Sequence, residues 1–266
     1  MTRREFVNAA VLMLPVAHLL YAKRPYGSFN MGLQSFVLRN VPFEKALDMV
    51  QEVGLAYLET YNDHLSYESP ARYLAHIKRA LRAHRIRLMA FGVIGFDTDT
   101  KRSRAIFEFA KTMGLYAISA DPDPGAFETL EALVEEFSIN IAIHPHGPEY
   151  DRYPGWKAVG KAINSRHPRM GICMDVGHVT RAGEDAVEGI YALGKRVCGV
   201  HLKDADAQHH DVIVGRGQID IPGIFKALKQ VGYRGMVSLE CEMTPNNPMG
   251  DIRESLAYIQ RVCAKF

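Results

Sequence analysis

From residue 29 onward, short apolar runs alternate eight times with longer amphipathic ones, and this rhythm restricts the fold more than any other feature of the chain. The strand candidates are NMGLQSF from Asn30, AYLET from Ala56, RLMAFGV from Arg87, YAISAD from Tyr116, INIAIHPH from Ile139, MGICMDVG from Met170, VCGVHLKD from Val197 and MVSLECE from Met236. Helical patterns begin near Pro42, Ser69, Thr100, Phe127, Pro154, Gly183, Ile221 and Gly250, and several stop at glycine, as at Gly54 and Gly114. Such stops are helix C-caps. Eight even β-then-α units predict an α/β fold, a (β/α)8 TIM barrel. A doubly wound open sheet is the runner-up, but it seldom needs so many equal units.

At 266 residues with 47% hydrophobic content, the chain can bury one large core. Its net charge of +2 comes from well-mixed residues with no long basic run. Nothing in this balance calls for a nucleic-acid or membrane-surface partner. Cys173, Cys198, Cys241 and Cys263 offer no CxxC pair, which excludes a zinc finger or a thioredoxin-like motif. The first three lie in strand-like runs and are expected to be buried packing residues.

The N-terminus, MTRREFVNAAVLMLPVAHLLYAKRP, stands apart. Arg3 and Arg4, then Phe6 and an apolar run to Ala22, resemble a twin-arginine export signal. The run carries Asn8, Pro15 and His18 and is too short and too polar for stable membrane insertion. The expectation is an exported, periplasmic protein with residues 1–22 as signal and 23–266 as barrel. The alternative is a cytoplasmic protein with an amphipathic N-terminal helix.

The two-residue period of a strand adds a sharper pattern. In IAIHPH, Ala142, His144 and His146 share one face; in MGICMD, Gly171, Cys173 and Asp175 do. In VCGVHL the matching face holds Val197, Gly199 and His201, against Cys198, Val200 and Leu202. In VSLECE it holds Ser238, Glu240 and Glu242. Bulky apolar residues take the face that helices cover. Small residues take the other, and a metal-ligand type follows at the C-terminal end, where active sites of this barrel sit. His144, Asp175, His201 and Glu240 are therefore expected to converge on one divalent ion. Two imidazoles and two carboxylates suit Mn, Co, Fe or Zn better than Mg.

The strings HPHGPE, CMDVGH, VHLKD and VGRGQIDIPGIFKALKQVGYRGMVSLE resemble the sugar phosphate isomerase/epimerase group of xylose isomerase-like TIM barrels. Inosose dehydratase, 3-dehydroshikimate dehydratase, ketose 3-epimerases and endonuclease IV belong to the same superfamily. The resemblance runs from residue 29 to the C-terminus and is strongest from residue 139. It implies that Asp175, His201 and Glu240 are metal ligands and that His178 lies close to substrate or metal. Many members carry a glutamate at the end of strand five, where this chain has His144. That departure weakens a two-glutamate epimerase mechanism and makes Glu149, in HGPE, the substitute base.

Other residues have two readings each. Glu59, ending strand two, either bonds a sugar hydroxyl or steadies a ligand, or else is a buried structural carboxylate. His146 faces inward beside His144 and is expected to bind substrate. Lys203 either stabilises an enediolate or binds an anion, or else pairs with Asp175 or Asp204. Arg216, between two glycines, contacts substrate or is a solvated loop residue. His209, His210 and Asp211 form a second candidate cluster, and Trp156 is a sugar platform or a helix packing on the barrel.

The expected chemistry is proton abstraction beside a carbonyl, assisted by a divalent ion, through an enediolate. Glu240 or Glu149 would be the base and His178 the acid. Isomerisation or epimerisation of a sugar or keto-polyol is the leading reading, with keto-sugar dehydration or cleavage a close second. A non-catalytic sugar-binding module and an endonuclease IV-like nuclease are remote alternatives; the nuclease would need a basic groove that the charge does not supply. The expected partners are a small carbohydrate, no nucleic acid, and a second copy in a homodimer.

Overall fold

A computed structural model of the protein describes residues 25–266, so the export-signal expectation lies outside the described residues. The barrel strands are β1 (Asn30–Gln34), β2 (Tyr57–Thr60), β3 (Arg87–Phe96), β4 (Ala117–Pro122), β5 (Asn140–Ile143), β6 (Met170–Asp175), β7 (Val197–Leu202) and β8 (Met236–Leu239). They pair in parallel, each with its sequence neighbours, and β1 closes the ring against β8. Helices α1 (Phe43–Glu52), α2 (Ala71–Ala83), α3 (Thr100–Met113), α4 (Phe127–Phe137) and α5 (Trp156–Ile163) follow the first five strands. Two helices follow β6: α6 (Val176–Arg181) and α7 (Ala186–Leu193). Then α8 (Ile221–Gln230) follows β7 and α9 (Met249–Cys263) follows β8. This is the (β/α)8 barrel that the alternation predicts. No helix among the described residues is long and apolar enough to cross a membrane.

The period-two argument accounts for the core. Ile141, Ile143, Ile172, Met174, Val200, Leu202, Val237 and Leu239 are all fully buried on the outer face of the sheet, under the helices. Each such side chain contributes roughly 1.5–3 kcal/mol of transfer free energy. The helices start where the sequence supplies caps. Asp99 accepts from the Lys101 and Arg102 amides at the head of α3, and Asp185 does the same for α7. The short α6 was not expected; the Asp175 side chain caps it through the His178 amide.

All four cysteines are free and buried. Cys198, however, departs from the expected alternation. The register between β6 and β7 shifts at Ile172/Cys173, so Cys173 pairs with Gly199. A bulge of this kind reverses which face a residue takes. Cys198 accordingly packs with Ala117, Ala142 and Cys173 rather than with Val200 and Leu202.

Candidate metal centre and active site

Register places the key side chains next to one another. Asp175 is the strand partner of His201 across β6 and β7, and Ser238 is its partner across β7 and β8. His144 and Glu240 each follow the last residue of their own strand. One donor atom from each of His144, Asp175, His201 and Glu240 lies within 4.8 Å of the other three. All four residues are buried, and they form the single such cluster among the described residues. The structure thus brings together the quartet that strand parity predicts.

The orientation of these atoms fits an ion. Oδ2 of Asp175 and Oε2 of Glu240 are buried and accept no hydrogen bond, although His201 Nδ1 is only 2.9 Å from Glu240 Oε2. His144 Nε2 is 3.4 Å from Asp175 Oδ2 and 3.1 Å from His201 Nδ1. Buried carboxylate oxygens left without partners are costly. Two unpartnered carboxylate oxygens crowded against two imidazole nitrogens are the arrangement that a cation relieves. The other oxygen of Asp175 accepts from the His178 amide at 2.7 Å, which fixes the carboxylate plane.

Glu59 sets the tautomer of His201. Its Oε2 lies 3.0 Å from His201 Nε2, while Ser119 and Ser238 donate to the carboxylate at 2.5 and 2.6 Å. With the proton held on Nε2, the Nδ1 lone pair is free for the quartet. Glu59 is 2% exposed and is not part of the cavity wall. Of its sequence readings, the structure shows a buried carboxylate bonded to His201, away from the cavity wall.

Electrostatics keep three of the four donors, His144, Asp175 and Glu240, in ligand form. Burial pushes His144 down to about 4, against the opposing pull of Asp175. Burial would raise Asp175 and Glu240, but Lys203 and the neighbouring imidazoles hold both below the usual carboxylate range. Burial also lowers His146 and His178. It would lower His201 too, but Cys173, Glu240 and Glu59 close around that ring and hold it well above an ordinary histidine.

Above the quartet opens a cavity of about 330 Å³. His144, His146, His178, Lys203, Glu240 and Glu242 form its polar side, and Phe36, Tyr61 and Val93 line the rest with Gln34 and Gly92. Gln34 donates to the Gly92 carbonyl at 3.1 Å. His146 packs on Tyr150 at 4.7 Å, and its Nε2 is buried without a hydrogen bond, 3.9 Å from Asp121. Lys203 Nζ lies 2.6 Å from Glu242, 3.3 Å from Glu240 and 3.7 Å from Asp175. It pairs with Asp175, as one reading had it, and not with Asp204.

Several predicted residues lie elsewhere. Glu149, the expected substitute base, is exposed and is not among the residues lining the cavity. A Cβ on Gly147 would stand 3.1 Å from both Glu149 Oε2 and His178 Nδ1, so the carboxylate lies close to that imidazole. Arg216 is 61% exposed and makes a two-bond pair with Glu254 on α9, away from the wall. His209 and His210 are exposed, and Asp211 accepts from Arg181 at 2.8 Å, so no second cluster assembles. Trp156 is buried against Gly189 in the α5/α7 contact and is a packing residue. Sequence reasoning passed over Glu242, Gln34, Phe36 and Tyr61. Glu242 carried a signal, since it shares the inward parity of Ser238 and Glu240.

Residues 125–262, just over half of the chain, match the family described as xylose isomerase-like TIM barrel. The chain belongs to this family. Among curated relatives of this xylose isomerase-like barrel, the rhizopine catabolism protein MocC of Rhizobium meliloti is 28% identical over 129 residues, which are 42% of this chain and 39% of MocC. This barrel thus spans well under half of that relative. Inosose isomerase of Bacillus velezensis is 22% identical over 240 residues, 78% of this chain and 86% of that protein. A crystal structure of the IOLI protein with a binding zinc atom superposes with a TM-score of 0.74 at 18% identity, over 90% of this chain and 99% of that one. At that identity the likeness is one of fold.

Proposed function

We propose that this chain is a divalent-metal-dependent isomerase or epimerase of a sugar or keto-polyol. The observation that carries the reading is the quartet His144, Asp175, His201 and Glu240, with two buried carboxylate oxygens that accept no hydrogen bond. These four residues would hold the ion, and their two nitrogens and two oxygens favour Mn, Co, Fe or Zn. A zinc-holding barrel of the same fold and the inosose isomerase relative support this reading. When bound, the ion would draw charge from a carbonyl oxygen and so acidify the adjacent C–H.

The chain's own residues divide the remaining work. Glu242 is the cavity's one carboxylate outside the quartet, and it takes the proton from carbon, the C–H electron pair moving toward the carbonyl. Lys203, 2.6 Å away, holds Glu242 in place. His146 and His178 stand on the wall that follows β5 and β6 and hold a proton for return to the substrate. Phe36, Tyr61 and Val93 shield the reacting carbon from water.

Elimination is the second reading, and one observation favours it. The resemblance expects a glutamate at the end of strand five where this chain has His144, so no carboxylate from that strand returns the proton to the opposite face, and loss of a hydroxyl competes.

The test is metal analysis of protein depleted and reloaded with Mn, Co or Zn, next to a His144→Ala/His201→Ala variant. About one ion per chain, lost in the variant, with deuterium entering a keto-sugar from heavy water, supports the reading. Absence of specific metal sinks it.

A further inference from the structure

The charges around the cavity identify which carbohydrates it can take, given the keto-sugar reading above. Barrels of this fold commonly hold a substrate phosphate on backbone amides that follow strands seven and eight. Here the loop after β7 wraps around a carboxylate of its own. Asp204, 1% exposed, accepts from the amides of Ala205 at 2.9 Å, Gly215 at 2.8 Å, Gly217 at 3.0 Å and Ile219 at 3.1 Å. The wrap is tight: a Cβ on Gly217 would stand 2.2 Å from Asp204 Oδ1, and Gly215 has a φ of +97°. The amides that could cradle a dianion are already committed to an internal anion.

After β8 the chain places Glu240 and Glu242, two further negative groups. Among the described residues, Lys203 is the only Lys or Arg on the cavity wall. Its ammonium lies within 3.7 Å of Asp175, Glu240 and Glu242; a divalent ion would offset Asp175 and Glu240, which leaves Lys203 matched by Glu242 with no positive charge to spare. Three arginines near wall residues are engaged as well, Arg181 among them at 3.4 Å from His178 Nδ1. Arg152 pairs with Asp123 and Arg181 with Asp211. Arg39 donates to the Phe36 carbonyl and lies 4.5 Å from the centre of its ring. The wall opposite in character is Phe36, Tyr61 and Val93, a surface for the C–H face of a sugar ring.

We propose that this cavity selects uncharged keto-sugars or keto-polyols and discriminates against their phosphate esters, with Asp204 and Glu242 as the excluding anions. A phosphate dianion would meet like charge at both places where the fold could receive it.

The experiment is equilibrium binding to the full chain loaded with metal, by calorimetry, using D-psicose with D-psicose 6-phosphate, and D-ribulose with D-ribulose 5-phosphate. Metal content is measured on the same preparation. Each free ketose should bind at least tenfold more tightly than its ester. Glu242→Gln, which removes one excluding charge and leaves Lys203 one partner fewer, should narrow that gap at least threefold. Esters that bind as tightly as the free ketoses, or free ketoses that do not bind at all, would overturn the proposal. An unchanged gap in Glu242→Gln would overturn the role given to that residue. If esters prevail on protein that holds its metal, the selectivity fails while the metal-enzyme reading stands; if no metal is held, that reading fails first.

Discussion

Glu59 and His201, 142 residues apart in sequence, meet across the barrel interior with 3.0 Å between Oε2 and Nε2. The contact joins β2 to β7 and fixes which ring nitrogen faces the quartet. Two serine hydroxyls, from Ser119 and Ser238, hold the carboxylate from strands β4 and β8. Four strands thus share responsibility for one imidazole.

The first prediction concerns this contact. Glu59→Ala should keep the barrel folded but release the His201 ring, since the side chains of the quartet remain. Removing such a supporting carboxylate typically weakens metal affinity by about 10–100-fold. Zinc titration against a competing chelator measures the loss; affinity within twofold of the parent would show that Glu59 does not orient His201.

A second prediction is a pH dependence of metal binding. Negative neighbours hold His201 well above its ordinary pKa against the effect of burial, so without metal it carries a proton at pH 7. Burial keeps His144 near 4, so it carries none there. An ion must displace the His201 proton, and affinity should fall as pH falls, by up to about tenfold per unit for one proton. Calorimetry in buffers of different ionisation enthalpy should detect close to one proton released per ion at pH 7. Binding independent of pH between 6 and 8 would contradict the assignment.

The quartet was legible in the sequence because it depends on local facts: strand parity and an ending at the barrel mouth. The roles of Glu59 and Lys203 were not, because each is decided by partners brought near only by closure. YLET gives Glu59 the right position but cannot show Ser119, Ser238 and His201 around it. Cys198 was misplaced for a different reason, a one-residue register shift between β6 and β7 that alternation alone cannot register. Arg216 was attractive because glycines flank it; those glycines instead serve the wrap around Asp204, and the arginine pairs with Glu254.

Asp204 supports the third prediction. Its carboxylate accepts from four backbone amides in a buried setting, and hydrogen bonds to a charged group are the stronger kind. Asp204→Ala leaves those donors unmatched and should cost about 2–5 kcal/mol of stability. Denaturant unfolding checks the magnitude, and amide exchange at Gly215 and Gly217 should accelerate before the rest of the barrel opens. Unchanged protection at those two amides would show that the loop does not depend on the carboxylate.

Gly92 supports the fourth. It lies on the cavity wall with φ of +147°, and a Cβ there would stand 2.1 Å from the Ser119 carbonyl oxygen. That oxygen belongs to β4 backbone and cannot move aside without disturbing the sheet. Gly92→Ala should therefore destabilise the protein by about 2–4 kcal/mol. It should also loosen the Ser119 hydroxyl from Glu59 and so weaken metal binding. A thermal midpoint within a degree of the parent would refute the steric argument.

The last prediction separates Glu242 from the ligands. Glu240 and Glu242 share a strand-end parity, yet Glu240 is 8% exposed and within reach of His201, while Glu242 reaches Lys203 and faces the open cavity. Glu242→Gln keeps the shape and should leave metal content and ketose binding within about threefold of the parent. Removing a general base costs about 10²–10⁴-fold in rate, so deuterium entry from heavy water into a bound ketose should fall by at least a hundredfold. Glu240→Gln should instead lose metal and exchange together. If Glu242→Gln exchanges as fast as the parent, the proton goes elsewhere, and His178 becomes the group to replace next.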